Sequence, residues 1–345
     1  EIYMGDWSSD VCSSDLLAHV RWGQEADLII VAPATEHVIA RMAQGLADDA
    51  LTALLLARTA PVLLAPAMND AMFAHPQTGA NLRALVAQGV AVVGPEIGPL
   101  AEGPSDRPGR MSEPATILTH AARLLHRGGR LAGRRVVVTA GPTREAIDPV
   151  RVVSNRSSGL MGYRLAEAAW ERGADVLLIS GPTSLEVPEG VTLQKVESTA
   201  DMEVAVRGAL PSADVLVMAA APADFRPANP SEGKRPRQEG AITLPLEPTR
   251  DILLTTRDAR RPGAVIVGFA LETGDAVAKG QAKLERKALD LIVVNDATEP
   301  GAGFEVTTNR VTILGGNGQS AQVPLQGKRG VAEAILDAVE ARLGG

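Results

Sequence analysis

The sequence predicts an α/β protein of two domains, each a parallel sheet covered by helices. Three observations predict it. From Ala26 onward, short continuous apolar runs alternate with stretches of helical period, the pattern of strands buried on both faces. The apolar residues are mostly Ala, Val and Leu, with aromatics at only 3%, and small aliphatics suit helices packed on a buried parallel sheet. The alternation pauses once, at the Gly- and Arg-rich "RGGRLAGRR" (127–135), and then restarts, as at a linker between domains.

Residues 1–16 stand before this pattern. "MGDWSSDVCSSDL" repeats Ser-Ser-Asp and has neither strand nor helix period, so the leader reads either as a flexible N-terminus or as a segment foreign to the protein. In the second case Cys12 carries no function. The first half then runs through a buried strand "ADLIIVAPA" (26–34), a helical stretch at 36–58, a second strand "APVLLAPAMN" (60–69), a helix at 77–89 and a third strand "VAVVGPE" (90–96). A long surface segment (97–113) and a helix at 114–127 close it. After a linker at 127–134 come "RVVVTAG" (135–141), a helix at 160–172, "DVLLISG" (175–181), a helix at 199–209 and "DVLVMAAAPAD" (214–224). A polar loop (227–241), a helix from 250, "AVIVGFALE" (264–272), a helix at 275–288, "LDLIVVND" (289–296), the strand "NRVTILG" (309–315) and a helix at 328–343 complete the chain. Five or six buried strands with helices between them make 135–345 a Rossmann-like, doubly wound domain.

Bulk properties exclude several classes. The net charge of −7 argues against a nucleic-acid partner. No apolar run reaches the roughly 18 residues that span a bilayer, and no signal peptide is legible. A single cysteine allows no intrachain disulfide and no thiolate metal cluster. The expected setting is cytoplasmic, with small-molecule substrates.

In such sheets ligands sit at the carboxyl ends of the strands, so the loops there carry the candidates. The first is "TAGPTREAIDPVRVVSNRSSGLMG" (139–162), with Arg144, Arg151, Asn155, Ser157, Ser158 and Gly159 just before a helix. Small residues at a helix start leave backbone N–H groups open to an anion, although the serines alone could be simple N-caps. The third strand ends in "MAAAPADF": its alanines are either close packing or a seat for a flat base, and Asp224 suits a metal ion shared with phosphates. "GKRPR" supplies Lys234, Arg235 and Arg237, either a solvated face or a lid over a polyphosphate. Lys283 and Lys287, four residues apart on a helix, repel mildly; an anion between them would explain the pair, as would surface solubility. Asn295 and Asp296 end a strand as a turn or a ligand contact.

Taken in order, that first loop, "AAAPADFRP", the Lys-bearing loop, "RDIL", "VGFALET", "KLERKALDLIVVND" and "TNRV" closely resemble phosphopantothenate–cysteine ligase over 131–341. The resemblance implies that CTP activates 4'-phosphopantothenate as an acyl-cytidylate with Mg²⁺, and that cysteine then displaces CMP. Asn155 would serve the cysteine step and Lys234 the formation of the acyl-cytidylate. Arg151, Ser157, Ser158 and Gly159 would hold substrate. Met218, Ala219, Ala220, Arg250, Asp251, Ile252, Leu253, Phe269, Lys283 and Lys287 would contact the nucleotide, with Asp224 beside it and the metal. Two positions depart from the family: Arg156 stands where it has histidine, and "KRPR" where it has "KIKK".

"HVRWGQEADLIIVAPAT", "GLADD" and "APAMN" resemble the flavin-dependent phosphopantothenoylcysteine decarboxylase. This implies a flavodoxin-like domain over 17–126 with FMN. His19 and Asn69 would be catalytic, Ala32, Pro33, Ala34 and Thr35 would border the flavin, and Arg110 and Met111 would end a substrate flap. The family's upstream flavin-binding segment has no counterpart in 1–16, so a partial domain is expected, and Glu102 occupies the place of the flap cysteine. The family also implies homo-oligomers through ligase-domain dimers. Two other readings compete. One is an NAD(P)-dependent oxidoreductase, opposed by the lack of Gly-x-Gly-x-x-Gly after a strand; the other is a ligase with a non-catalytic flavodoxin-like module.

Overall fold

A computed structural model describes residues 18–234, 243–272, 274–296 and 306–344. The chain divides into two compact units, 1–125 and 126–345. Cys12, Arg235 and Arg237 lie outside the described residues.

The first unit comprises α1 (Ala18–Glu25), β1 (Ile29–Ala34), α2 (Glu36–Gln44), α3 (Ala50–Ala57), β2 (Val62–Pro66), α4 (Asp70–Phe73), α5 (Pro76–Ala87), β3 (Ala91–Val92), β4 (Glu96–Ile97), β5 (Pro108–Arg110) and α6 (Pro114–Leu125). Strands β1, β2 and β3 form a parallel sheet in that order. Leu64 packs toward Ile39, Leu55 and Leu85, and Leu63 toward Ile117 and Leu124. Both leucines are fully buried. Helices therefore cover both faces, which is why β2 reads as an unbroken apolar run. The helix expected over 36–58 is two helices. Gly45 takes φ 70° and closes α2, a left-handed step open to glycine at little cost, and Asp49 starts α3 with a capping box to Thr52. The strand expected at 90–96 is reduced to two residues, and the surface segment contains the β4–β5 pair.

The second unit contains β6 (Arg135–Ala140), β7 (Arg144–Ala146), β8 (Val152–Ser154), α7 (Leu160–Glu171), β9 (Asp175–Ser180), β10 (Thr192–Lys195), α8 (Thr199–Ala209) and β11 (Val215–Met218). It continues with β12 (Phe225–Pro227), β13 (Leu246–Pro248), α9 (Ile252–Thr255), β14 (Val265–Glu272), α10 (Ala276–Arg286), β15 (Leu291–Asp296), β16 (Thr308–Gly315), β17 (Ser320–Gly327) and α11 (Lys328–Leu343). One eight-stranded sheet runs β10-β9-β6-β11-β14-β15-β16-β17. The first six are parallel and the last two antiparallel. The parallel strands follow the 3-2-1-4-5-6 order of a Rossmann fold. The sheet exceeds the five or six strands expected, because β10 and β17 escaped notice. The helix expected from 250 is a single turn.

Alternate residues of each central strand face opposite cores. Val136, Val217 and Val293 pack with residues of α7 and α11, whereas Val137, Leu216 and Ile292 pack with residues of α8 and α10. Leu131, within the stretch read as linker, is fully buried in the first of these cores. Arg172 at the end of α7 clamps α11 through Glu333 (2.6 Å) and Asp337 (2.7 Å). Among the described residues no helix is long and apolar enough to cross a membrane.

Candidate functional site

The carboxyl ends of β11, β14 and β15 and the start of α7 open into a cavity of about 480 Å³. Close backbone crossings shape its approach. Gly159, the N-cap of α7, takes φ 77°, and a Cβ there would stand 2.7 Å from Thr183 Cγ2 and 3.1 Å from the Gly141 nitrogen. At Gly162 a Cβ would meet Ala140 Cβ at 2.5 Å, so α7 rests directly on β6. These glycines bring the start of α7 to the cavity wall, where Asn155, Ser157, Ser158 and Gly159 all line it. The N-cap position falls on Gly159 rather than on a serine. Ser157 and Ser158 instead accept the N–H groups of Gly159 (3.3 Å) and Leu160 (3.4 Å).

Asn155 is fastened across the cavity to the tip of β11. Its Nδ2 donates to Pro222 O (2.9 Å) and Ala221 O (3.3 Å), which leaves Oδ1 as the acceptor of the side chain. Met218, Ala219, Ala220 and Asp224 line the same tip. Asp224 is exposed. Among the described residues no group of three His, Cys, Asp or Glu side chains is arranged to hold a metal. A cation here would therefore have at most two such side chains from the protein and take other ligands from phosphates or water, as Mg²⁺ does.

The opposite wall joins 250–253, Phe269, Lys283 and Lys287. Mutual repulsion of the two lysines proves a poor description of them. Lys287 pairs with Asp251 at 2.9 Å and Lys283 with Glu272, so each cation has its own carboxylate. Thr249, Asn295, Asn309 and Lys328 also line the cavity, and of these the sequence pointed only to Asn295. Asn295 Nδ2 donates to Asn309 Oδ1 at 2.9 Å, so strand pairing supplies a partner that spacing could not show. Lys328 is 4% exposed, and burial pushes its ammonium below the ordinary lysine value.

Other expected contacts lie off the cavity wall. Arg151 donates from Nε to the buried Asp148 (2.9 Å), bracing the β7–β8 turn, and Arg144 stands 3.8 Å from Glu197. Lys234 is exposed beside Ser231, whose N–H is held by Ile147 O at 2.9 Å. Its segment is thus tied to the hairpin that leads into Asn155.

In the first unit the expected residues gather through backbone contacts. Ala67 N donates to Ala34 O (3.1 Å) and Met68 N to Gly109 O (3.0 Å), which places the segments bearing Thr35, Asn69, Arg110 and Met111 side by side. Ala34 is fully buried, while Ala32, Pro33 and Glu102 are exposed. Thr35 caps α2, and Asn69 caps α4 by accepting from Ala71 N at 2.9 Å. Arg110 pairs with Glu113, and Met111 packs on the core beneath α6. His19 lies half-buried on α1.

Two family models divide the chain: a flavoprotein family matches 2–126, and the DNA/pantothenate metabolism flavoprotein C-terminal domain matches 131–343. The coenzyme A biosynthesis bifunctional protein CoaBC of Bacillus subtilis is 44% identical over 329 residues, 94% of this chain and 80% of its own length. This chain belongs to that bifunctional coenzyme A biosynthesis family. Its function is the family's: a bifunctional enzyme of coenzyme A biosynthesis, ligase and decarboxylase. A crystal structure of the C-terminal domain of a CoaBC protein matches 63% of this chain and 98% of its own, with 39% identity and a TM-score of 0.53. A cysteine/cysteine sulfinic acid decarboxylase from an unidentified prokaryote is 40% identical over 92% of this chain and 90% of its own length. The oxidoreductase reading falls here. Strand β9 ends on Ser180, where a dinucleotide-binding fold places the acid that holds ribose.

Proposed function

We propose that the second unit joins 4'-phosphopantothenate to cysteine at the expense of CTP, with Mg²⁺ as cofactor, and that the first unit decarboxylates the product with FMN. One observation carries the ligase assignment: the Asn155 loop, Asp224, the 250–253 segment, Lys283 and Lys287 line one cavity. The phosphopantothenate carboxylate attacks the α-phosphate of the nucleotide, pyrophosphate leaves, and the cysteine amine then displaces CMP from the acyl-cytidylate. Lys283 and Lys287 offset phosphate charge in a partly buried setting, where such pairing is stronger than in water. Lys234 approaches from the rim to neutralise charge as the acyl-cytidylate forms. Asn155, its Nδ2 committed to two carbonyls, presents Oδ1 to the attacking amine and orients it. Asp224 would hold Mg²⁺, and the ion would supply charge withdrawal from the nucleotide phosphates.

In the first unit, small residues at the carboxyl end of β1 (Ala32 to Thr35) suit the approach of a flat ring system to the backbone. FMN held there would supply hydride transfer. Asn69 would hold the substrate carboxylate, Arg110 and Met111 would cover it, and His19 would move the proton. The hairpins β7–β8 and β12–β13 pack together and leave Val150, Val152, Phe225 and Leu246 exposed, an apolar surface that supports ligase-domain dimers. The proposed setting is cytoplasmic.

The test is pyrophosphate release from CTP and 4'-phosphopantothenate with Mg²⁺, with and without cysteine. Absence of release overturns the ligase assignment. Asn155→Ala is expected to release pyrophosphate while forming little product. For the first unit, a flavin absorbance band that survives gel filtration after incubation with FMN is the expected result.

A further inference from the structure

Behind the Asn155 loop lies a chain of buried hydrogen bonds that the reaction above does not use. Thr143 is fully buried, Thr199 3% exposed and Glu145 6% exposed. Glu145 Oε1 accepts from both the backbone nitrogen and Oγ1 of Thr199, each at 2.8 Å. Thr143 Oγ1 lies 2.9 Å from Thr199 Oγ1 and accepts from the Ala223 nitrogen at 2.9 Å. The carbonyl of Thr143 accepts from Ser154 Oγ at 2.8 Å, and Thr249 Oγ1 donates to Ala223 O at 2.6 Å.

Proton counting gives this chain a direction. Glu145 Oε1 accepts from the Thr199 hydroxyl, and each hydroxyl owns one proton. Thr199 spends its proton on Glu145, so it accepts from Thr143. Thr143 spends its own on Thr199, and one of its two lone pairs takes the Ala223 N–H. The bonds polarise one another in a single sense. The ring then closes, because Asn155, next to Ser154, grips Pro222 and Ala221 just before Ala223.

We propose that Thr143 is a positioning residue for the cysteine step: by accepting the Ala223 N–H it fixes the adjoining Ala221 and Pro222 carbonyls that hold Asn155, and Glu145 sets the direction of the Thr143 hydroxyl. The inference rests on the role assigned to Asn155 above. Thr143 joins the segment carrying Asn155 to the tip of β11, and Ala223 in turn accepts the Thr249 hydroxyl at the start of the 249–253 segment. Removing its hydroxyl leaves the buried Ala223 N–H without an acceptor and frees the 221–223 tip to shift.

The experiment compares Thr143→Val, Thr143→Ser, Ser154→Ala and Asn155→Ala in the full chain. It follows pyrophosphate release and product formation separately. Thr143→Val is expected to lower kcat for product formation about tenfold, since misplacement of order 1 Å costs one to two powers of ten. The KM for CTP is expected to stay within about twofold, and Thr143→Ser, which keeps the hydroxyl, to stay within about threefold of the parent. The double variant Thr143→Val/Asn155→Ala is expected to be no slower than Asn155→Ala alone, as for residues acting through one contact. A multiplicative loss in the double variant, or an equal loss in Thr143→Ser and Thr143→Val, overturns the inference. Should Thr143→Val fail to fold, Ser154→Ala at its exposed site decides: unchanged product formation overturns the proposal, and a loss that merges with that of Asn155→Ala supports it. Full product formation by Asn155→Ala overturns the role of Asn155 itself, a different result from any of these.

Discussion

In both units the candidate residues gather by the carboxyl ends of parallel strands, with different fastenings. In the second unit, side chains join segments far apart in sequence: Asn155 reaches Pro222, and Ala223 reaches Thr143. In the first unit the corresponding side chains serve their own neighbourhood. Thr35 caps α2, Asn69 caps α4, and Arg110 pairs with Glu113 three residues on; the segments themselves meet through the backbone bonds of Ala67 and Met68. The difference teaches where a substitution should register. In the second unit it disturbs the mutual placement of loops, and in the first it loosens one helix start.

The strongest way to break this contrast is Gly181→Ala. A Cβ at Gly181 would stand 1.7 Å from Pro142 O, a backbone atom that can move only with the loop after β6. The expected cost is about 3 kcal/mol, the upper range for forcing atoms into a packed interior. Thermal unfolding should show the second unit melting earlier with the first unchanged, and ligation lost. A common shift of both transitions would show that the units do not unfold separately.

Next in size is Lys287→Met. The lysine pairs with Asp251 at 2.9 Å and lines the cavity. In the proposed role, losing it removes a phosphate contact and frees the 250–253 segment, so the KM for CTP should rise about tenfold, the worth of one charge-assisted bond. Lys287→Arg should recover part of the loss. An unchanged KM in both variants would remove Lys287 from the nucleotide site. A smaller effect is expected in the first unit, where Asn69→Ala should cost about 1 kcal/mol through the lost cap of α4. The melting of that unit reads this cost, and the second unit's should not move.

Legibility in the sequence followed burial. Strands β2, β6, β9, β11 and β14 are covered on both faces, so their apolar runs announced them. Strands β10 and β17 lie at the two edges, with mostly exposed residues such as Thr192, Lys195 and Ser320. Backbone pairing holds them, helped by Val323 in the core and Leu193 packed against it, and composition does not reveal pairing. The break at Gly45 was hidden because the apolar period resumes after it. In the cavity, residues of the strand-end loops were legible because the doubly wound fold directs ligands there. Asn309 and Lys328 were not, since β16 and β17 run antiparallel and return to the cavity from beyond the Rossmann pattern. The Thr143–Thr199–Glu145 chain depends on three-dimensional register and has no spacing that could betray it.

The smallest expected effect sharpens the comparison at a device both units share. Each contains a capping box with the roles exchanged: Asp49 is the N-cap of α3 and accepts from Thr52, whereas Asp201 is the third residue of α8 and reaches back to Ser198. Both carboxyls are held below their ordinary value of 3.8, first by the backbone N–H bonds of Thr52 and Ser198 respectively, then by the hydroxyls of the same residues. The sign follows from linkage. A depressed carboxyl stabilises the fold above its unfolded value, and that contribution disappears as pH falls through the lower folded value. Asp49→Asn and Asp201→Asn should therefore lower stability near neutral pH, and the gap to the parent should close below about pH 3.8. Chemical denaturation at neutral and acidic pH, read on each unit's transition, measures it. Asp49→Asn should move only the first transition and Asp201→Asn only the second. A gap that persists in acid would mean that the boxes act through shape rather than charge.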